Sequence, residues 1–124
     1  MAALEKPIVK KARDLVWELL GIPSLLLNVR GNNGYPDVIF WLPGGYPFIS
    51  EFKQPGEEPR PKQEDVINEL IDLGYQVEVH DNPFDVLEAI ITALEPRTST
   101  KEGREILARA RRRGSFLRSR DEKN

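Results

Sequence analysis

The chain of 124 residues contains no cysteine. That excludes a disulfide framework and any zinc site built on thiolates, and it fits a reducing compartment. No apolar run approaches the length of a membrane span, so no membrane partner is expected. The opening "MAALEKPIVKKARDL" meets charge within its first five residues and lacks the apolar centre of a secretion signal, as a cytoplasmic protein would. Aromatic residues make up only 8%, yet hydrophobic residues reach 40% against 31% charged. That balance predicts one packed core rather than disorder, at a length that suits one domain.

The net charge of −2 is unevenly spread. Residues 1–96 hold 8 Lys/Arg against 16 Asp/Glu, and residues 97–124 hold 10 against 4. An acidic domain over 1–96 is thus followed by a basic helix or tail over 97–124, whose last ten residues are expected to be disordered.

Leu4, Ile8, Ala12, Leu15 and Leu19 recur at helical spacing, with Val9, Val16 and Leu20 beside them. They predict an amphipathic helix over roughly residues 4–20, stopped by Gly21 and Pro23. "SLLLNV" reads as a strand and "GNNG" as a turn. Residues 37–42 and 47–53 read as a hairpin about a Pro-Gly-Gly turn. "QPGEEPRP" is a polar loop, and Pro61 suits the first position of a second helix marked by Val66, Ile67, Leu70, Ile71 and Leu73. "YQVEV" alternates as a fourth strand. Asn82 and Pro83 open a third helix carrying Phe84, Leu87, Ile91 and Leu94, with Val86 and Ile90 alongside. "KEGREILARARRRG" is a short basic helix candidate. The predicted class is α/β, in the order α-β-β-β-α-β-α. The third strand, second helix and fourth strand form a β-α-β unit. Its right-handed crossover puts strand four parallel to strand three and starts the second helix at the edge where strand three ends.

The chemistry gathers in "GYPDVIFWLPGGYPFISEFK", residues 34–53. Asp37 opens one strand of the hairpin, and Glu51 and Lys53 close the other. Two residues apart on a strand, Glu51 and Lys53 share a face, while Phe52 points into the core and leaves its carbonyl at the same edge. Asp37 joins that face only in even register. A two-residue Gly44-Gly45 loop would set it opposite Phe52, so an odd-length loop or a bulge is required. Two adjacent carboxylates repel, and a divalent cation removes that penalty. Two carboxylates and a carbonyl form an all-oxygen set suited to Mg²⁺ or Mn²⁺. A lysine beside it can hold a water and offset phosphate charge, as metal-assisted phosphodiester hydrolysis needs. An E-x-K triplet alone is common, and Asp121-Glu122-Lys123 matches D-x-K within a charged tail. What distinguishes Glu51-x-Lys53 is the company of Asp37, the apolar hairpin, and Gln63 in the first turn of the next helix.

With "PRPKQ" and "LIDLGYQVEVHDNPFDV" further on, this stretch closely resembles the VRR-NUC family of the PD-(D/E)xK nuclease superfamily, over about residues 4–92. The resemblance implies a nuclease core of order α-β-β-β-α-β, with a mixed four-stranded sheet flanked by helices. It implies that Asp37, Glu51 and the Phe52 carbonyl hold Mg²⁺ or Mn²⁺, that Lys53 is the catalytic lysine, and that Gln63 is the family's helix glutamine. Glu5 matches the N-terminal helix glutamate that would join the metal ligands, with Glu18 the other candidate. It further implies a homodimer acting on DNA, with four-way junctions the favoured substrate and 5′-phosphate and 3′-hydroxyl ends the products. Stand-alone members of this kind occur in bacteria and viruses, so the expected setting is a bacterial or phage-infected cytoplasm, with no small-molecule cofactor. A flap, nick or single-strand nuclease needing a partner, and a silent DNA-binding module, are the alternatives.

The DNA-binding candidates are Arg30 and Asn33 in the loop before Asp37, and Arg60 and Lys62 at the start of the second helix. Arg109, Arg111, Arg112 and Arg113 in the basic segment join them, since an acidic core needs cationic help to approach a polyanion. His80 reads as a strand-end side chain touching solvent. Trp17 and Trp41 read as core or dimer-interface residues.

Overall fold

The structure is a computed structural model describing residues 6–27, 34–105, 108, 109 and 112. Helix α1 spans Pro7–Leu20 and ends where Gly21 takes φ 68° and its N–H bonds the Trp17 carbonyl. Pro7 fixes the first helical turn, so α1 starts later than the apolar spacing predicts; Leu4 and Glu5 lie outside the described residues. Strands follow at Ser24–Leu26 (β1), Val38–Leu42 (β2) and Tyr46–Phe52 (β3), then helix α2 at Pro61–Asp72, strand β4 at Gln76–His80 and helix α3 at Pro83–Leu94. Asn82 caps α3 by accepting the Phe84 N–H at 2.8 Å. A 3-10 turn covers Glu95–Ser99. Beyond it residues 101–105, 108, 109 and 112 are helical. Among the described residues no helix is long and apolar enough to cross a membrane.

The sheet order is β1-β2-β3-β4, with β2 antiparallel to both neighbours and β4 parallel to β3. The crossover argument required that parallel pair. Val9, Ala12, Val16 and Leu20 of α1 join Val86, Ile90 and Leu94 of α3 against Val38, Phe40, Leu42, Phe48 and Phe52. On the other face Ile67 of α2 packs with Ile49 and Val77. The result is three layers, two helices below the sheet and one above.

Three readings of burial are corrected. In α1 and α3 the residues set beside the main stripe form its centre: Val9, Val16 and Leu20, and Val86 and Ile90, are buried, whereas Phe84 and Ile91 are exposed. Each helix carries apolar residues over a broad arc, and the packing geometry selects which part faces the sheet. Ile71 and Leu73 of the α2 region are also exposed; one helix over β3 and β4 needs only a narrow apolar contact. Trp17 and Trp41 are 38% and 46% exposed, so neither belongs to the core.

Candidate active site

The hairpin sets the site. β2 and β3 pair Val38 with Ser50 and Leu42 with Tyr46, across the three-residue turn Pro43-Gly44-Gly45. Gly44 and Gly45 both take positive φ, 88° and 76°, which glycine adopts without steric cost. The odd turn length gives the register the chemistry required. Continued by one residue, it brings Asp37 against the Ser50–Glu51 step, where its N–H bonds the Ser50 carbonyl at 3.1 Å. The chain reaches Asp37 through Gly34, at φ +86°, packed so tightly on α2 that a Cβ there would lie 3.1 Å from the Lys62 carbonyl oxygen. Gly34 is thereby seated on the N-terminal turn of α2.

Asp37, Glu51 and Lys53 are all buried, at 4%, 0% and 6% exposure. Asp37 Oδ2 accepts the Phe52 N–H at 2.9 Å, and Glu51 Oε1 accepts it at 3.1 Å. Gln63 Nε2 donates to Glu51 Oε2 at 3.1 Å, while Gln63 Oε1 accepts the Arg60 N–H at 3.0 Å. Gln63 therefore ties the second carboxylate to the start of α2 and fixes its rotamer. Lys53 lies 3.8 Å from exposed Glu57; its N–H bonds the His80 carbonyl at 2.9 Å, which anchors the end of β3 to β4.

Burial, and then the neighbouring Asp37, push the Glu51 carboxyl up to about 8, against the opposing pull of Lys6 and Lys53. The site thus disfavours a second unneutralised negative charge. A cation offsets part of that cost: the Lys6 ammonium donates to Asp37 Oδ2 at 3.1 Å and to the Phe52 carbonyl at 2.9 Å, and lies 3.8 Å from Glu51 Oε1. Both carboxylates and the carbonyl between them address one positive centre. Among the described residues no three Asp, Glu or His side chains gather into a metal site. The oxygen set is two side chains and one backbone group, and it suits a hard divalent ion.

The remaining candidates divide. Glu5 lies outside the described residues, as do Arg30, Asn33, Arg111 and Arg113. Glu18 is twelve residues beyond Lys6, about 18 Å along α1 at 1.5 Å per residue, and shares an outer groove with Asp14 and Leu15; it does not reach this centre. Arg60 and Lys62 are exposed beside Gln63, at the rim of the site. Arg109 and Arg112 belong to the C-terminal helical residues and line one shallow groove with Glu105 and Ala108.

The reading of His80 as a solvent-touching side chain is overturned. His80 is 8% exposed, and its ring centroid lies 6.3 Å from that of Phe48 and 6.2 Å from that of Phe52. It ends β4 on the core face because alternation puts it opposite Phe52, away from Glu51. Burial lowers its pKa, offset in part by Glu78, whose Oε1 is 3.2 Å from Nε2. The residue that sequence reasoning does not find is Lys6. Its one signal is Pro7: a proline favours the first helical position, which makes the preceding residue the cap at the site edge rather than one inside the helix.

No family model matches the chain, and no curated protein matches it by sequence. Among solved structures it is similar to a chain described as a VRR-NUC domain. The two are 27% identical with a TM-score of 0.59, and the match covers 68% of this chain and 90% of the other. Together with the mixed four-stranded sheet and its flanking helices, this likeness shows that the chain has the VRR-NUC fold, an α/β core of the PD-(D/E)xK nuclease type.

Proposed function

We propose that the protein is a divalent-metal-dependent DNA endonuclease that cuts branched DNA, with four-way junctions preferred. The observation that carries the reading is the convergence of the Asp37 and Glu51 carboxylates and the Phe52 carbonyl on one cationic centre, beside a buried lysine. Those three oxygens would hold Mg²⁺ or Mn²⁺. When bound, the ion supplies Lewis-acid polarisation of a phosphoryl oxygen and neutralises its charge. Lys53, one strand position beyond the Phe52 carbonyl, orients the attacking water and offsets the charge that develops on the phosphate. Gln63 holds Glu51 in place. In-line hydrolysis then leaves a 5′-phosphate and a 3′-hydroxyl.

Exposed Arg60 and Lys62 would grip phosphate at the site rim. Arg109 and Arg112, with the basic residues around them, would supply the counterion-release affinity that the acidic domain lacks. A homodimer suits paired cuts in a junction. Trp41 and Leu25 support it: both are nearly half exposed, and they stand on one face of the sheet, because Leu25 pairs with Ile39, two residues from Trp41 on β2.

The test is a panel of labelled four-way junction, flap, nicked, duplex and single-stranded DNAs, each with Mg²⁺, with Mn²⁺ and with chelator, for the full chain and for a chain ending at Pro96. Metal-dependent cutting that is fastest on junctions is expected. The shorter chain should bind with a shallower salt slope, by about 0.9 in log affinity per log salt for each phosphate that the tail neutralises, and still cut at saturating DNA. No cleavage of any DNA with either metal would leave a DNA-binding module as the surviving reading. Faster cleavage of flaps or nicks would replace the junction assignment, and an unchanged salt slope would remove the tail from the DNA interface.

A further inference from the structure

The Lys6 ammonium stands where a divalent ion would stand. Resting on the metal-centre reading above, we infer that Lys6 is an internal counter-cation that competes with the divalent ion for Asp37, Glu51 and the Phe52 carbonyl and must withdraw when the ion binds. Its contacts of 3.1, 2.9 and 3.8 Å reach all three oxygens. An ion bound to these atoms at about 2.0–2.6 Å would overlap the ammonium, so the two cations exclude each other.

The lysine is placed to leave. It is the cap residue of α1, and its side chain makes no capping hydrogen bond. Among the described residues the contacts of the ammonium are those of the site. The side chain is 39% exposed, against 6% for Asp37 and 1% for Glu51, so a path to water is open on the lysine's side of the centre. The flexible four-carbon stem allows the ammonium to swing out while Pro7 keeps the backbone in place. Withdrawal costs an ion pair, so Lys6 lowers the apparent affinity for the ion. In the ion's absence it offsets part of the charge that Asp37 and Glu51 bring together. Lys53 also offsets charge at Glu51, but no contact places its ammonium on the Asp37 oxygen or the Phe52 carbonyl, and its stem is buried.

The experiment compares the full chain with Lys6→Met, which keeps the stem and removes the charge. Mn²⁺ binding is measured by titration calorimetry, and thermal unfolding in chelator by circular dichroism. The variant should bind Mn²⁺ about fivefold more tightly, on the scale of one partly exposed ion pair, and should unfold at a lower temperature in chelator. A lysine that serves only packing would lower the unfolding temperature and leave the Mn²⁺ affinity alone. As a second measurement on the unaltered chain, nitrogen-15 NMR of lysine ammonium groups should show one slowly exchanging signal in chelator that saturating Mg²⁺ moves to the free-lysine position. Equal Mn²⁺ affinity in the two proteins, or an ammonium signal indifferent to Mg²⁺, would overturn the inference while leaving the metal centre intact. Failure of the unaltered chain to bind Mn²⁺ at all would overturn both.

Discussion

Replacing Lys53 by methionine should lower single-turnover cleavage by about 10²–10³-fold, the scale of losing one group that stabilises developing charge, with Mn²⁺ affinity and unfolding temperature nearly unchanged. Methionine retains the buried stem, and Lys53 is 6% exposed, so the substitution tests the ammonium rather than the packing. The ammonium is not part of the proposed metal shell, whose three oxygens belong to Asp37, Glu51 and Phe52. Its ionic partner Glu57 is 3.8 Å away and 55% exposed, a pair that contributes little to stability. Rates measured at saturating DNA and metal isolate the chemical step. A variant that cuts within a few-fold of the unaltered chain would remove Lys53 from the reaction.

The second large effect is expected at Glu51, and it has two faces. Glu51→Gln should abolish cleavage and the stabilisation given by divalent metal. A ligand at a hundred times its dissociation constant adds about 2.7 kcal/mol, or on the order of 10 °C for a domain of this size, so Mg²⁺ should raise the unfolding temperature of the unaltered chain and not of the variant. In chelator the pH dependence should reverse the ranking. Glu51 titrates near 8 in the folded chain against a reference value of 4.5. Between those values the folded state holds a proton that the unfolded state has lost, so stability falls as pH rises through that window. Above about 8 the full cost of the buried carboxylate is present, and below about 4.5 none of it is. Unfolding temperatures from about pH 5 to 9 in chelator should therefore decline more steeply for the unaltered chain than for Glu51→Gln. Parallel curves would show that Glu51 is not the group carrying this cost.

The legible parts of the fold follow rules that act over short distances. The Pro43-Gly44-Gly45 turn, the alternation along β3 and the crossover from β3 to β4 are each decided by neighbouring residues. Hence the approach of Gln63 can be argued from spacing, whereas the common face of Asp37 and Glu51 also needs an odd turn, which two glycines permit without dictating. The start of α1 is less legible, since apolar periodicity runs back to Leu4 while Pro7 sets the first turn. Lys6 escapes a reading of the sequence for the same reason. The burial of His80 is hidden because alternation groups it with polar Gln76 and Glu78, and only pairing with β3 sets that position opposite Phe52 and against the Phe48 and Phe52 rings, a tertiary fact. The rotated stripes of α1 and α3 have that origin too: their sequences offer two adjacent apolar rows, and only docking on the sheet chooses between them.

One of the three oxygens around the cation comes from the peptide backbone, at Phe52. Every amino acid supplies that carbonyl, so no codon change erases it. A mutational scan of this protein would find Asp37 and Glu51 and pass over a third of the same shell. Substitutions at 52 would score instead as damage to the core, where the ring is fully buried between the sheet and its helices. The position of that oxygen is thus inherited from packing: whatever shifts the Phe52 ring against Phe48 and His80 moves an atom of the proposed metal shell with it, and a loss of activity traced to residue 52 would report on that proposed shell through the hydrophobic core.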